Sequence, residues 1–237
     1  MTDASSARPD ALPRATRALL LDMDGTLLDS GPCVERSWNH LLEELGSPRH
    51  FEAAMHGRPA LQVLREVFPD MSETELHTAH QRIEEIEIAD AEGLRIMPGA
   101  ERLLSELDAA ATTLGAPTWT IVTSCTRPLF TARWSQTGLP TPEHLVTADQ
   151  VSAGKPDPEP FRTGAQRLGH APAQTIALED STGGLRSARA AGCTAIALTT
   201  TTPAEVLRPL CDALATSLDD LEVHVRDGEM ILARRTS

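Results

Sequence analysis

Cysteine is scarce in this chain: four residues in 237, at Cys33, Cys125, Cys193 and Cys211. None forms a C-x-x-C pair and none has a histidine at zinc-ligand spacing. A disulfide framework and a structural zinc site are therefore excluded as organising devices, and the cysteines read as reduced thiols of a cytoplasmic protein. Apolar runs long enough to span a bilayer are missing. Residues 1–16 are rich in Ala, Ser, Pro and Arg and lack the apolar stretch of a signal peptide, so they are expected to be a flexible tail. Positive charge is in short supply: 21 Lys and Arg stand against 34 Asp and Glu, for a net charge of −13. That balance argues against nucleic acid or an anionic membrane as partner, since both need a positive surface. It does not exclude a small anionic substrate, because one metal ion or a few local cations can reverse the field inside a cleft. No internal repeat or low-complexity segment is found.

What is present suffices for a core: 41% of the residues are hydrophobic, in a length suited to one large domain or two smaller ones. Short apolar segments recur at Ala18–Asp22, Trp119–Thr123, His144–Thr147, Thr175–Glu179 and Thr194–Thr199. Several are nearly continuous rather than alternating, the pattern of parallel strands covered on both faces. Helical periodicity lies between them, as in the stripe Leu103, Leu104, Leu107 and Ala111 after Pro98, a residue suited to a first helical turn. The alternation predicts an open α/β sheet. It breaks once, between the first strand and Pro98, where helix signals occur without a convincing strand. There Ser72 and Glu75 make a capping box with Met71 and Leu76 as its staple, and Leu76, Ala79, Ile83 and Ile86 form an apolar stripe. This segment is expected to be a separate helical lid. Asp227-Gly228, between two short apolar runs, predicts a hairpin turn.

The first strand runs into Asp22-Met23-Asp24-Gly25-Thr26. Ligands of open α/β sheets bind outside the carboxyl ends of the strands. A carboxylate there can attack phosphorus, and a second one can protonate the leaving alkoxide and then deprotonate water. Two anions facing an anionic phosphate need a divalent cation. Taken alone, the same residues also read as an acidic turn. Three further pieces stand at strand ends in order. Thr123 and Ser124 offer hydroxyls and amides for a phosphoryl oxygen, or an N-cap. Lys155, in the loop Gly154-Lys155-Pro156-Asp157-Pro158, offers a point charge for phosphate and for Asp22. Glu179 and Asp180 offer oxygen ligands of the kind magnesium prefers, or an acidic N-cap. The set supplies the parts that phosphoryl transfer requires.

With those motifs in their order, the chain resembles the phosphatases of the haloacid dehalogenase superfamily from about Ala18 to beyond Thr200. The resemblance implies an α/β fold with a Rossmann-like core of parallel strands and an inserted α-helical cap. The core would comprise residues 17–30 and 97–237, and the cap residues 31–96. It implies Asp22 as nucleophile and Asp24 as acid/base. It also implies Mg2+ held by the Asp22 carboxylate, the Asp24 carbonyl and Asp180, with Glu179 assisting. His56-Gly57-Arg58-Pro59 and Ala191-Gly192-Cys193 further resemble the glycerol-phosphate and deoxy-sugar-phosphate phosphatases. They make His56 and Arg58 candidate substrate contacts from the cap. Cys125 departs from that pattern, standing where relatives often carry a smaller residue. The implied partner is a small phosphorylated metabolite, the protein itself being a monomer or small homo-oligomer. Two alternatives are a sugar phosphomutase similar to β-phosphoglucomutase and a catalytically silent binding module on the same fold. Against the first, Val34 occupies the place of that branch's cap histidine. Against the second, no catalytic carboxylate or lysine is missing. Asp24 itself counts against dehalogenation.

Overall fold

The structure, a computed structural model, describes residues 12–52, 55, 58 and 60–236. Strands β1 (Arg14–Thr16), β2 (Ala18–Leu21) and β3 (Leu28–Asp29) precede helices α1 (Gly31–Glu44), α2 (Ala60–Val67) and α3 (Glu73–Ala89), and β4 (Arg95–Ile96) ends that excursion. Then come α4 (Ala100–Leu114), β5 (Trp119–Val122), α5 (Arg127–Trp134), β6 (Leu145–Val146), α6 (Glu159–Arg167), β7 (Thr175–Glu179), α7 (Thr182–Ala191) and β8 (Thr194–Leu198). Helix α8 (Ala204–Leu207), β9 (Ala213–Ala215), β10 (Leu221–Arg226) and β11 (Glu229–Arg234) complete the chain.

Six strands form one parallel sheet in the order β6-β5-β2-β7-β8-β9. Successive side chains of β2 point to opposite faces. Leu19 and Leu21 accordingly enter a cluster with α4 and α5, whereas Ala18 and Leu20 enter one with α6, α7 and α8. With both faces covered, β2, β5, β7 and β8 are buried throughout, the physical reason for their near-continuous apolar sequences. Complete burial of Leu19, Leu20 and Leu21 contributes on the order of 1.5–3 kcal/mol each. That pins the register that delivers Asp22 to the edge. From β2 the chain winds outward through β5 and β6, then crosses to β7 on the opposite side. This switch point is where such sheets leave a crevice.

The helical excursion has its own apolar cluster, built on Trp38, Leu41, Val63, Leu64, Leu76, Ala79, Ile83 and Ile86. Its root is the short antiparallel pair β3–β4, Leu28 opposite Ile96 and Asp29 opposite Arg95. Those two-residue strands escape a reading by periodicity, which needs a longer window. Helix α3 starts as its sequence predicts: Ser72 Oγ accepts from the Glu75 amide and Glu75 returns a bond to the Ser72 amide.

The expected flexible tail over residues 1–16 does not extend to its last residues. Arg14–Thr16 pairs with β11, and Thr16 Oγ1 hydrogen-bonds the carbonyls of Ala18 and Gln174. Residues 1–11 lie outside the described part. β11 in turn pairs with β10 through the turn at Asp227 and Gly228, with φ of 52° and 78°. Two consecutive positive φ values are what a tight hairpin of this hand requires. Pro98 stands before α4 rather than inside it, since Gly99 is the N-cap. The buried stripe of that helix runs through Ala110 rather than Ala111. No helix of the described residues is long and apolar enough to cross a membrane.

Candidate active site

Asp22 follows β2 directly and its amide donates to the Leu178 carbonyl of β7. The strand pairing thus places its carboxylate beside Glu179 and Asp180 at the end of β7. Carboxylate oxygens of Asp22, Glu179 and Asp180 lie within 4.8 Å of one another. The loop before α6 brings in Lys155, the sole lysine of the chain. Its Nζ is 2.6 Å from Asp22 Oδ1 and 2.6 Å from Glu179 Oε1, with 6% of its side chain exposed. The ammonium also lies 5.2 Å from the centre of the Phe161 ring, a favourable cation–π placement.

Glu179 has both oxygens engaged. Oε1 takes Lys155, while Oε2 accepts from the amides of Asp180 and Ser181 and from the Ser181 hydroxyl. The Ser181 hydroxyl is also the N-cap of α7, accepting from the Gly184 amide at 3.0 Å. This close approach of a carboxylate to a helix start leaves no room for a side chain at position 184: a Cβ there would lie 1.7 Å from Glu179 Oε1. Gly184→Ala is expected to expel that carboxylate and release Lys155. Overpacking of this kind costs about 1–3 kcal/mol, each of which lowers Tm by about 2–4 °C in a chain of this size. A melting curve and rate assay with no change in either would show that Glu179 has room to move.

Gly25 is confined in a similar way. It holds φ at +84°, and a Cβ would stand 2.2 Å from Asp180 Oδ2. Asp180 is thereby packed against the loop after Asp22, where Thr26 Oγ1 donates to its Oδ1 at 3.4 Å and the Thr201 hydroxyl to its Oδ2. Thr200 closes the arrangement with a 2.5 Å bond to the Gly25 carbonyl. No role was expected for Thr200 and Thr201, although four threonines in succession just after β8 were visible in the sequence.

Three carboxylates facing one ammonium leave the site short of positive charge. Burial raises the pKa of the Asp22 carboxyl well above its ordinary value, and Glu179 and Asp180 push it further, against the opposing pull of Lys155. Asp180 is raised to about 7, first by burial and then by Glu179. Burial works against the charged form of Lys155, but Asp22 and Glu179 outweigh it and the net shift is upward. Burial thus disfavours ionisation of Asp22 and Asp180, an effect that a second cation beside Lys155 would offset. The all-oxygen donor set suits a hard divalent ion such as Mg2+.

The Asp24 carboxylate points elsewhere. Its Oδ1 accepts from Arg133 Nη1 at 2.9 Å and its Oδ2 faces Cys125 Sγ at 3.0 Å. Thr123, buried at the end of β5, accepts the Cys125 amide on its hydroxyl at 3.0 Å, whereas Ser124 is exposed. Neither caps the following helix. That role falls to Thr126, whose hydroxyl accepts from the Leu129 amide. Arg58 is ion-paired with Glu66 on α2, and His56 lies outside the described residues. Arg133 was missed by sequence reasoning. Its signal was a cation in the buried stripe Leu129, Phe130, Arg133 and Trp134 of α5.

A doubly covered parallel sheet, a helical layer inserted after its first strand and a cluster of three carboxylates around one lysine at the switch point define a Rossmann-like α/β core with its candidate site at the strand ends. The chain belongs to the haloacid dehalogenase-like hydrolase family, whose model matches residues 19–198. It is 42% identical over 183 residues to hexitol phosphatase A of Escherichia coli (strain K12), an alignment covering 77% of this chain and 82% of that protein. It is 33% identical to validoxylamine A 7'-phosphate phosphatase of Streptomyces hygroscopicus subsp. limoneus, over 81% of this chain and 89% of the relative. Among solved structures, CbbY from Rhodobacter sphaeroides in complex with phosphate superimposes with a TM-score of 0.72 at 23% identity, over 86% of this chain and 95% of that one. That last likeness speaks for the fold.

Proposed function

We propose that this phosphoric monoester hydrolase removes phosphate from a small sugar or polyol phosphate through a phospho-aspartate at Asp22, with Mg2+ as cofactor. The observation that carries the reading is the Lys155 ammonium held at 2.6 Å from both Asp22 and Glu179, with Asp180 alongside. The substrate class is supported by relatives named for a hexitol, for glycerol 1-phosphate and for 2-deoxyglucose 6-phosphate.

Asp22 would attack phosphorus in line with the departing alkoxide, and Asp24 would give that alkoxide a proton. Asp24, then a base, would take a proton from the water that hydrolyses the acyl phosphate. Thr123, Ser124 and Lys155 would hold the phosphoryl oxygens, and Lys155 keeps Asp22 aimed. Glu179, with both oxygens engaged, serves best as the anchor of Lys155. The Asp22 carboxylate, the Asp24 carbonyl and Asp180 would hold Mg2+, which when bound offsets the charge of carboxylates and phosphate. Residues 31–96 would form a cap that excludes water and selects the alcohol, with His56 and Arg58 as candidate contacts.

The test is a screen of hexitol, hexose and glycerol phosphates for released phosphate, with Mg2+ and with excess chelator. Release that depends on Mg2+ is expected. A phosphorylated product would point to a mutase instead, and full activity in chelator would sink the metal role. Stability supplies an independent check. Folded Asp180 titrates at about 7, against roughly 3.9 in an unfolded chain. Between these values the folded state holds more protons than the unfolded one, so metal-free stability falls as pH rises. The gain in Tm on adding Mg2+ should therefore be larger at pH 8 than at pH 5. Equal gains would place the ion away from Asp180.

A further inference from the structure

Arg133 lies where the core, the catalytic loop and the helical layer meet. Its side chain is 3% exposed, and its Nη2 lies 3.6 Å from Glu87 Oε1 on α3, while Nη1 bonds Asp24 on the opposite side. Nη1 also approaches Cys125 Sγ at 3.3 Å. Its Nε and Nη2 find no hydrogen-bond partner among the described residues. A buried guanidinium with idle donors is costly unless its charge is used. One turn before Glu87, Glu84 bonds the hydroxyl of Thr126, the N-cap of α5. One face of α3 thus seats on α5 through two carboxylates, Glu84 at the N-cap and Glu87 at Arg133 in the last turn, and the second of them shares Arg133 with Asp24.

We propose that Arg133 is a positioning residue that aims the Asp24 carboxylate and couples its placement to the seating of the helical layer through Glu87. With α3 seated, the guanidinium is divided between Glu87 and Asp24, which limits its hold on the carboxylate needed at the leaving group. With α3 lifted, Glu87 is lost and the fork can close on Asp24 alone as a bidentate pair, holding it off the reaction path. Substrate that seats the layer would in the same motion place the acid/base.

This inference rests on the role proposed for Asp24, and a double-mutant cycle separates the two. With Mg2+ saturating, Arg133→Met is expected to lower kcat on an alkyl phosphate by on the order of 10²-fold, the scale of a misplaced catalytic group. KM should change by less than about threefold, and Arg133→Lys should recover part of the loss. In an Asp24→Asn background Arg133→Met should cost less than about twofold, because it acts through Asp24. Losses that multiply in the double variant would overturn the inference while leaving the role of Asp24 intact. Full activity of Asp24→Asn alone would instead sink the role of Asp24. If Arg133→Met does not fold, Glu87→Gln carries the test, since Arg133 is retained. It should lower kcat on the alkyl ester by more than on p-nitrophenyl phosphate, and unchanged kinetics on both would overturn the coupling.

Discussion

Asp22→Asn is expected to leave no turnover above background. An amide oxygen is a poor nucleophile, and the same change would remove an anionic ligand from the proposed metal site. Enzymes accelerate phosphate-monoester hydrolysis by up to about 10²¹-fold over a very slow uncatalysed reaction, so little activity can survive by another route. Loss of fold would not be the cause. The Asp22 carboxyl is buried and its pKa is raised, so its ionised form is a net burden on the metal-free fold at neutral pH. The variant should melt no lower than the parent at pH 8 in chelator. Borohydride reduction of enzyme caught in turnover should mark Asp22 alone, converting its acyl phosphate to the alcohol. A mark elsewhere, or parent-like turnover by the variant, would end the phospho-aspartate reading.

Asp24→Asn should behave differently. Its carbonyl would remain available to the proposed metal, and the new amide oxygen can still accept from Arg133, now 2.9 Å from Oδ1. What the proposed mechanism would lose is the proton given to the leaving alkoxide and taken from water. General acid–base catalysis is worth about 10²–10⁴-fold, so the variant should retain a measurable rate that its Asp22 counterpart lacks. The loss should be smaller for p-nitrophenyl phosphate, whose leaving group departs without a proton. Rescue is limited, because the second step still needs a base. An equal loss on alkyl and aryl esters in single-turnover phosphorylation would remove Asp24 from the role of acid.

Much of the fold was legible because it is local. The strands β2, β5, β7 and β8 are nearly continuous in apolar residues because both faces are covered, and helix α3 announces itself through Ser72, Glu75 and its stripe. The short strands β3, β4 and β9 were not visible, since two or three residues carry no period. β1 was hidden for another reason: Arg14–Thr16 becomes a strand only because β11, about 220 residues later in the chain, offers it an edge.

The site divides along the same line. Asp22, Asp24, Thr123, Lys155, Glu179 and Asp180 could be singled out by sequence alone, because each stands at or just beyond a strand end or in a turn-rich loop, and their order follows from the connectivity of the sheet. Which of them touch was settled only by packing. Strand pairing of β2 with β7 sets Asp22 beside Glu179 and Asp180, and the loop before α6 folds Lys155 between Asp22 and Glu179. The two oxygens of Asp24 are taken up by Arg133, in the last turn of α5, and by Cys125, just before that helix, both more than 100 residues away. Glu87 reaches the same arginine from a different layer. Motif order records what a strand carries to the edge of a sheet. It holds no record of side chains that arrive from other layers, because their distances are set by how those layers pack.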